Sequence, residues 1–217
     1  MIAILIKNTG LILQKSVGNM EICLISHGET TGDIEDRYGG DYDDHLSERG
    51  IEESEELAQK LSGAGIQVIY TSPKSRAIET SKIVSKALNV RIKVVDGLRE
   101  RNNYGILTGM KKAEAIEKHP DQVTELQTGN NHNVKDSENY KHFKDRVIEI
   151  FQDITNDKKY EKVAIITHGG PIRCIVRETL KLGELDYLSD CAIINIEFVN
   201  DSYILGDLYG AMLVERG

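Results

Sequence analysis

The sequence contains no run of about 18 apolar residues, which excludes a membrane-spanning helix. Cysteine is scarce: Cys23, Cys174 and Cys191 are the full set. The number is odd, each lies in an apolar run, and the spacing fits no zinc or redox motif. They read as reduced, buried thiols of a cytoplasmic protein. Basic residues are outnumbered, 27 Lys and Arg against 35 Asp and Glu, for a net charge of −8. The broad positive field that drives nucleic-acid binding is therefore missing, and a small anionic ligand needs its own local positive pocket. Ile2 to Ile6 is apolar but too short for a secretory core, and has neither a basic flank nor a small-residue cleavage site. Residues 1–19 read as an N-terminal extension ahead of a domain that starts at Met20. Repeats and low-complexity linkers are absent.

Several chemical signatures are missing as well. There is no Gly-x-x-x-x-Gly-Lys-Ser/Thr, no Gly-x-Gly-x-x-Gly, no His-Glu-x-x-His and no Gly-x-Ser-x-Gly. Neither Cys23 nor Cys174 has an arginine six residues downstream, so a cysteine-based phosphatase loop is excluded. Asp41-Tyr-Asp-Asp-His45 is acid-rich but lacks the glycine and closing glutamate of a calcium loop, and reads as a solvated loop with no metal.

What remains is an ordinary globular composition of 217 residues, 40% hydrophobic and 29% charged, suited to one domain that buries roughly 70% of its unfolded surface. Short β-rich runs alternate with amphipathic stretches. Strands are expected at Ile22–Ile25, Gln67–Tyr70, Ile92–Val95 and Val163–Thr167, with a final pair at Ala192–Val199 and Tyr203–Leu208. A helix capped by Ser47 runs to about Leu61 with Ile51, Leu57, Ala58 and Leu61 on one face. Ser72-Pro73 predicts an N-cap and first helical residue for a helix to about Leu88. Further helices are expected at Lys111–His119, stopped before Pro120, at Tyr140–Ile154 and at Pro171–Leu182. The alternation implies a three-layer α/β sandwich with a mostly parallel central sheet. The weakly periodic stretch at about 98–138, with a polar loop at 128–133, reads as a small insertion over the active site.

Ligands of open α/β sheets bind beyond the carboxyl ends of the strands. Two such ends carry one arrangement, Ile25-Ser26-His27-Gly28 and Ile166-Thr167-His168-Gly169-Gly170, each a histidine followed by glycine, which leaves room for a ligand at the backbone. Arg76 falls in the first turn of a helix, where the positive end of the dipole normally favours an acid. A cation there makes sense facing a bound anion; the alternative is a solvent-facing arginine paired with Glu79 or Glu100. Glu100 follows a strand in a glycine-bearing loop, where a carboxylic acid can serve a leaving group.

These pieces, in order, resemble the histidine phosphatase superfamily, which includes cofactor-dependent phosphoglycerate mutases. The resemblance runs from about Met20 to Leu208 and rests on His27-Gly-Glu-Thr30, Tyr38-Gly-Gly40 with Leu46-Ser-Glu-Arg-Gly50, Thr71-Ser-Pro73 with Arg76-Ala-Ile-Glu-Thr80, Leu98-Arg-Glu100, and Thr167-His-Gly-Gly170. It implies hydrolysis of a small phosphorylated metabolite through a phosphohistidine on His27, with Arg76 and His168 holding the transferred group, Glu100 as proton donor and then base, and phosphate contacts at position 26, position 33 and Gly169. It implies neither a metal nor a cofactor. Two positions depart from the family: the usual arginine before the histidine is Ser26, and a common asparagine is Asp33. Serine cannot make the bidentate contact of an arginine. Ser26 is thus open to three readings: an engineered change, a natural change compensated by a cation such as Arg37 or Arg101, or a chain that binds phosphorylated ligands with little catalysis. The stretch between Gly109 and Tyr140 is shorter than the closing insertion of the mutases, which favours phosphatase over mutase. Lys111 to Lys135 is expected to set substrate choice, while substrate identity and oligomeric state stay open.

Overall fold

The computed structural model describes residues 19–126 and 134–214. Residues 1–18 of the extension at 1–19, and the whole loop at 128–133, lie outside the described residues. Six strands form one sheet in the order β3-β2-β4-β1-β5-β6: β1 Met20–Ser26, β2 Val68–Thr71, β3 Arg91–Val94, β4 Lys162–Thr167, β5 Leu185–Val199 and β6 Ser202–Leu213. The first four are parallel, whereas β5 runs antiparallel to β1 and β6 antiparallel to β5. Helices are α1 Thr31–Ile34, α2 Glu48–Lys60, α3 Ser75–Leu88, α4 Lys112–Lys118, α5 Pro120–Glu125, α6 Tyr140–Asn156 and α7 Gly169–Cys174, the last continued by a wider turn at Ile175–Thr179. None of the described helices is long and apolar enough to cross a membrane.

Strand periodicity sorts the core into two layers. Ile22, Leu24, Val163 and Ile165 pack with Phe143, Val147 and Phe151 of α6. Their alternating neighbours Cys23, Ile25, Ala164 and Ile166 pack on the other face with Leu57 and Ala58 of α2 and with Ala77 and Val84 of α3. Helices thus cover both faces, as the alternation predicts. A separate small core of Leu107, Ala115 and Val134 underlies the segment between β3 and α6.

Some details differ from the sequence expectations. Ile51 is exposed, since the buried stripe of α2 runs through Gly50, Ser54, Leu57 and Ala58. Ser72 caps no helix: α3 starts at Ser75, and the Ser72 hydroxyl turns to His168 instead. Pro120 ends α4 as expected but also opens α5 at its first position, where a missing N–H costs nothing. Strands β5 and β6 are longer than predicted because a bulge between Leu188 and Ile193 carries the pairing past a break in the pattern. Cys191 lies in that bulge at φ +49° and is only partly buried, unlike Cys23 and Cys174.

Backbone crossings at the carboxyl edge fix two glycines. A Cβ on Gly50 would lie 2.0 Å from the Glu29 carbonyl oxygen, and one on Gly28 would lie 2.5 Å from that of Gly50. The space at Gly28 therefore belongs to the start of α2 and not to a ligand. Gly50→Ala is expected to destabilise the fold by about 1–3 kcal/mol, the usual cost of overpacking. Gly39→Ala, whose Cβ meets nothing within 4 Å, should stay within about 0.5 kcal/mol. Denaturant unfolding of the pair checks this, and equal midpoints would contradict it.

Candidate active site

Parallel pairing of β1 with β4 puts Ser26 opposite Thr167, so the two following histidines leave the sheet side by side. The His27 N–H donates to the Thr167 carbonyl at 3.1 Å, and the Cys191 N–H donates to the His27 carbonyl at 3.1 Å, which fastens the residue from both neighbouring strands. The rings of His27 and His168 stand 5.0 Å apart, edge to face at 65°. Arg76, in the first turn of α3, reaches between them. Its Nε–H lies 3.1 Å from Nε2 of His27 and 3.1 Å from Nδ1 of His168.

That contact assigns the tautomers. A guanidinium only donates, so His27 Nε2 and His168 Nδ1 both carry lone pairs. The proton of His27 is then on Nδ1, which donates to the Gly28 carbonyl at 2.8 Å. The proton of His168 is on Nε2, which donates to the Ser72 hydroxyl at 2.7 Å. Burial, reinforced by the Arg76 charge, lowers the His27 pKa from 6.5 to about 4. The same causes, with His27 added, hold fully buried His168 well below its ordinary value. Both rings are neutral at neutral pH.

Arg76 is itself 4% exposed. Its Nη1 donates to the Asp44 carboxylate at 2.7 Å and to the Tyr42 carbonyl at 2.5 Å, and Nη2 donates to the Gly40 carbonyl at 2.9 Å. Asp44 is equally buried. The acid-rich run at 41–45 is therefore not a solvated loop: Asp41 pairs with Lys74, and Asp43 accepts the Ser75 N–H at the start of α3. Glu79 does not pair with Arg76 but holds His45 and the Leu46 N–H.

Glu100 faces the same edge. Its carboxylate accepts the Gly170 N–H at 2.8 Å and the Arg101 N–H at 2.7 Å. Burial nevertheless raises its pKa, against these bonds and the charges of Arg76 and Arg146. A Cβ on Gly170 would lie 2.0 Å from the Glu100 carboxylate, so that glycine seats the acid. Arg146 of α6 clamps the loop through the carbonyls of Gly97, Arg99 and Glu100, while Glu138 holds the far side of its guanidinium.

The structure thus brings together His27, Arg76, Glu100 and His168, with Gly169 as the first residue of α7, where helical N–H groups have no internal partner. Ser26 and Asp33 do not join the group. The Ser26 hydroxyl donates to the Ser189 carbonyl at 2.8 Å and accepts the Ala192 N–H at 2.9 Å, which ties β1 to the β5 bulge. The Asp33 carboxylate accepts the N–H and hydroxyl of Thr30 in a capping box, and acts on His27 only as a nearby charge. Arg37 donates to the Gly109 carbonyl and pairs with Glu35. The residues missed from sequence are Asp44, Ser72, Arg146 and Gly170. Asp44 and Gly170 stand inside motifs already noted, whereas nothing local marks Arg146.

The family model of the histidine phosphatase superfamily (branch 1) matches residues 22–206. The chain is 25% identical over 190 residues to an uncharacterized phosphatase, PhoE, of Bacillus subtilis (strain 168), covering 86% of this chain and 92% of that protein. It is 31% identical over 176 residues to a 2,3-bisphosphoglycerate-dependent phosphoglycerate mutase of Parvibaculum lavamentivorans, covering 77% and 83%. Among solved structures, Bacillus stearothermophilus YhfR superposes with a TM-score of 0.78 at 25% identity, covering 88% of this chain and 96% of that one.

The neutral imidazoles, His168 buried and His27 partly so, have a consequence for stability. Below about pH 6.5 the unfolded chain takes up protons that folded His27 refuses down to about 4. Stability therefore falls as pH drops across that window, by at most about 3 kcal/mol from this residue. His168 acts in the same direction, while the raised Glu100 opposes it, because the folded state holds that proton more tightly. His27→Asn is expected to lose less stability than the unmodified protein between about pH 7 and about pH 5. Denaturant unfolding at both values reads the difference, and equal losses would contradict the assignment.

Proposed function

The chain belongs to the histidine phosphatase superfamily, and we propose that it hydrolyses small phosphomonoesters through a phosphohistidine on Nε2 of His27. The observation that carries this reading is the tautomer lock: with the Nδ1 proton held by the Gly28 carbonyl, the Nε2 lone pair points to where Arg76 and His168 converge. A nucleophile of this kind must be unprotonated, and burial keeps it so. In the first step Nε2 forms a bond to phosphorus, the ester P–O bond breaks, and the leaving oxygen takes the Glu100 proton. In the second, Glu100 removes a proton from water, the water oxygen bonds to phosphorus, and the P–N bond breaks to free phosphate and neutral His27. A raised carboxyl pKa suits both halves, since it favours holding a proton for the leaving oxygen and makes the carboxylate a stronger base afterwards. Arg76 and the Gly169 N–H stabilise the equatorial oxygens of a loose transition state, with His168 positioned beside them.

Ser26 supplies no charge to this site, and the reading includes a rate lowered by its absence. One preorganised donor is worth about 10²- to 10³-fold. Ser26→Arg is expected to raise phosphomonoester hydrolysis by about 10²-fold on that argument. Ser26→Ala removes the two bonds to β5 without adding charge, and separates the electrostatic gain from any loosening of the bulge. A rise in neither variant would refute the missing-arginine account.

The mutase relative favours one further reading, phosphoryl transfer between positions of phosphoglycerate. With 3-phosphoglycerate and trace bisphosphoglycerate, phosphate release is expected to outpace isomerisation; the reverse order would make the chain a mutase. Trapping at alkaline pH, where phosphohistidine survives, tests the shared intermediate. Label is expected on His27 and absent in His27→Ala, and no label in either would leave a phospho-ligand-binding protein.

A further inference from the structure

A cavity of about 300 Å³ opens beside Glu100, and three guanidiniums, of Arg101, Arg173 and Arg177, line it. Its remaining wall includes Gly40 and Gly170. The first accepts from Arg76 and the second donates to Glu100, so the cavity adjoins the catalytic group on the side where Glu100 would meet a leaving oxygen. Resting on the hydrolase reading above, we propose that this cavity receives the alcohol half of the substrate, and that this half carries a second anionic group, a carboxylate or a phosphate, held by Arg173.

The charge balance of the cavity carries the argument. Arg177 is compensated locally by Glu184 at 2.7 Å and Glu178 at 3.1 Å. Arg173 is not: its Nη1 donates to the Leu185 carbonyl, a neutral acceptor, and among the described residues no carboxylate pairs with it. Arg101 is 6% exposed, donates its Nε–H to the Glu138 carbonyl at 3.0 Å, and is balanced by the nearby Glu138 and Glu100 carboxylates. The guanidiniums of Arg101 and Arg177 both lie over the Tyr140 ring, at 5.4 and 5.1 Å. Two like charges sharing one ring repel each other, and that cost is recovered when an anion arrives. The one acid on the wall, Glu100, is biased towards its neutral form. Such a concentration of positive charge stands out in a chain of net charge −8.

Size narrows the class. Roughly 300 Å³ is the lower bound of small-molecule sites, which suits a small leaving group. Guanidinium recognition of carboxylate or phosphate is bidentate and directional, and an uncharged isostere leaves the arginine unpaired. The inference also moves substrate choice from Lys111–Lys135, where the sequence places it, to α7 and the Glu100 loop.

Two matched pairs test the proposal. Glycerol 3-phosphate and 3-phosphoglycerate share a skeleton and differ by the carboxylate; propane-1,3-diol monophosphate and bisphosphate differ by the second phosphate. The kcat/KM ratio, charged over neutral, is expected to reach at least about tenfold in one pair, and the pair that shows it names the anion. In Arg173→Gln that ratio should fall towards one, and Arg173→Lys, which keeps the charge without the fork, should restore part of it. Ratios near one in both pairs, or a tenfold ratio that survives in Arg173→Gln, would overturn the proposal. If no ester is hydrolysed, the hydrolase reading fails on its own. Calorimetric Kd values for the same pairs and variants then decide the cavity's preference by the same ratios.

Discussion

The Nε–H of Arg76 is shared between the lone pairs of two imidazoles, and most of the site follows from that placement. A guanidinium can sit 4% exposed at the edge of a sheet only if its charge and most of its donors are satisfied, because an uncompensated buried charge costs several kcal/mol. Asp44 supplies the charge, and the carbonyls of Tyr42 and Gly40 accept two further donors, which leaves one Nη2–H over. Held in this way, the cation favours neutral His27 and His168 and draws their lone pairs to one point. The loop at 40–44, the start of α3 and the ends of β1 and β4 are thus parts of a single electrostatic unit.

The same unit explains why the site combines weakly charged parts. Arg76 is neutralised by Asp44, both rings are neutral, and Glu100 is biased towards its protonated form. Ser26 uses its hydroxyl to fasten the β5 bulge, whose Cys191 N–H in turn holds the His27 carbonyl. Position 26 therefore ties β1 to β5. The guanidinium of this edge that no carboxylate pairs with among the described residues, Arg173, lies further out.

Much of this was legible before the fold. His27 and His168 stood out because each ends an apolar strand with a glycine after it, and a parallel sheet brings equivalent strand ends together. Arg76 stood out because a cation opposes the helix dipole in a first turn. Other residues left no such mark. Arg146 lies in the middle of α6, where its spacing matches any solvated helical arginine, and only the fold turns it towards the carbonyls before Glu100. Asp44 was hidden among neighbouring acids that resemble a solvated loop. Ser72 obeyed the local capping rule so well that its actual partner, a histidine 96 residues away, could not be inferred. Local rules find strand ends and helix faces; they do not find partners brought in by tertiary packing.

The central claim is that the two rings hold opposite tautomers, both neutral, with Nε2 of His27 bare. Long-range nitrogen–proton NMR of the histidine rings at neutral pH reads this directly. The account predicts a protonated Nδ1 and an unprotonated Nε2 for His27, and the reverse for His168. A proton on Nε2 of His27, or an imidazolium at either ring, would contradict it.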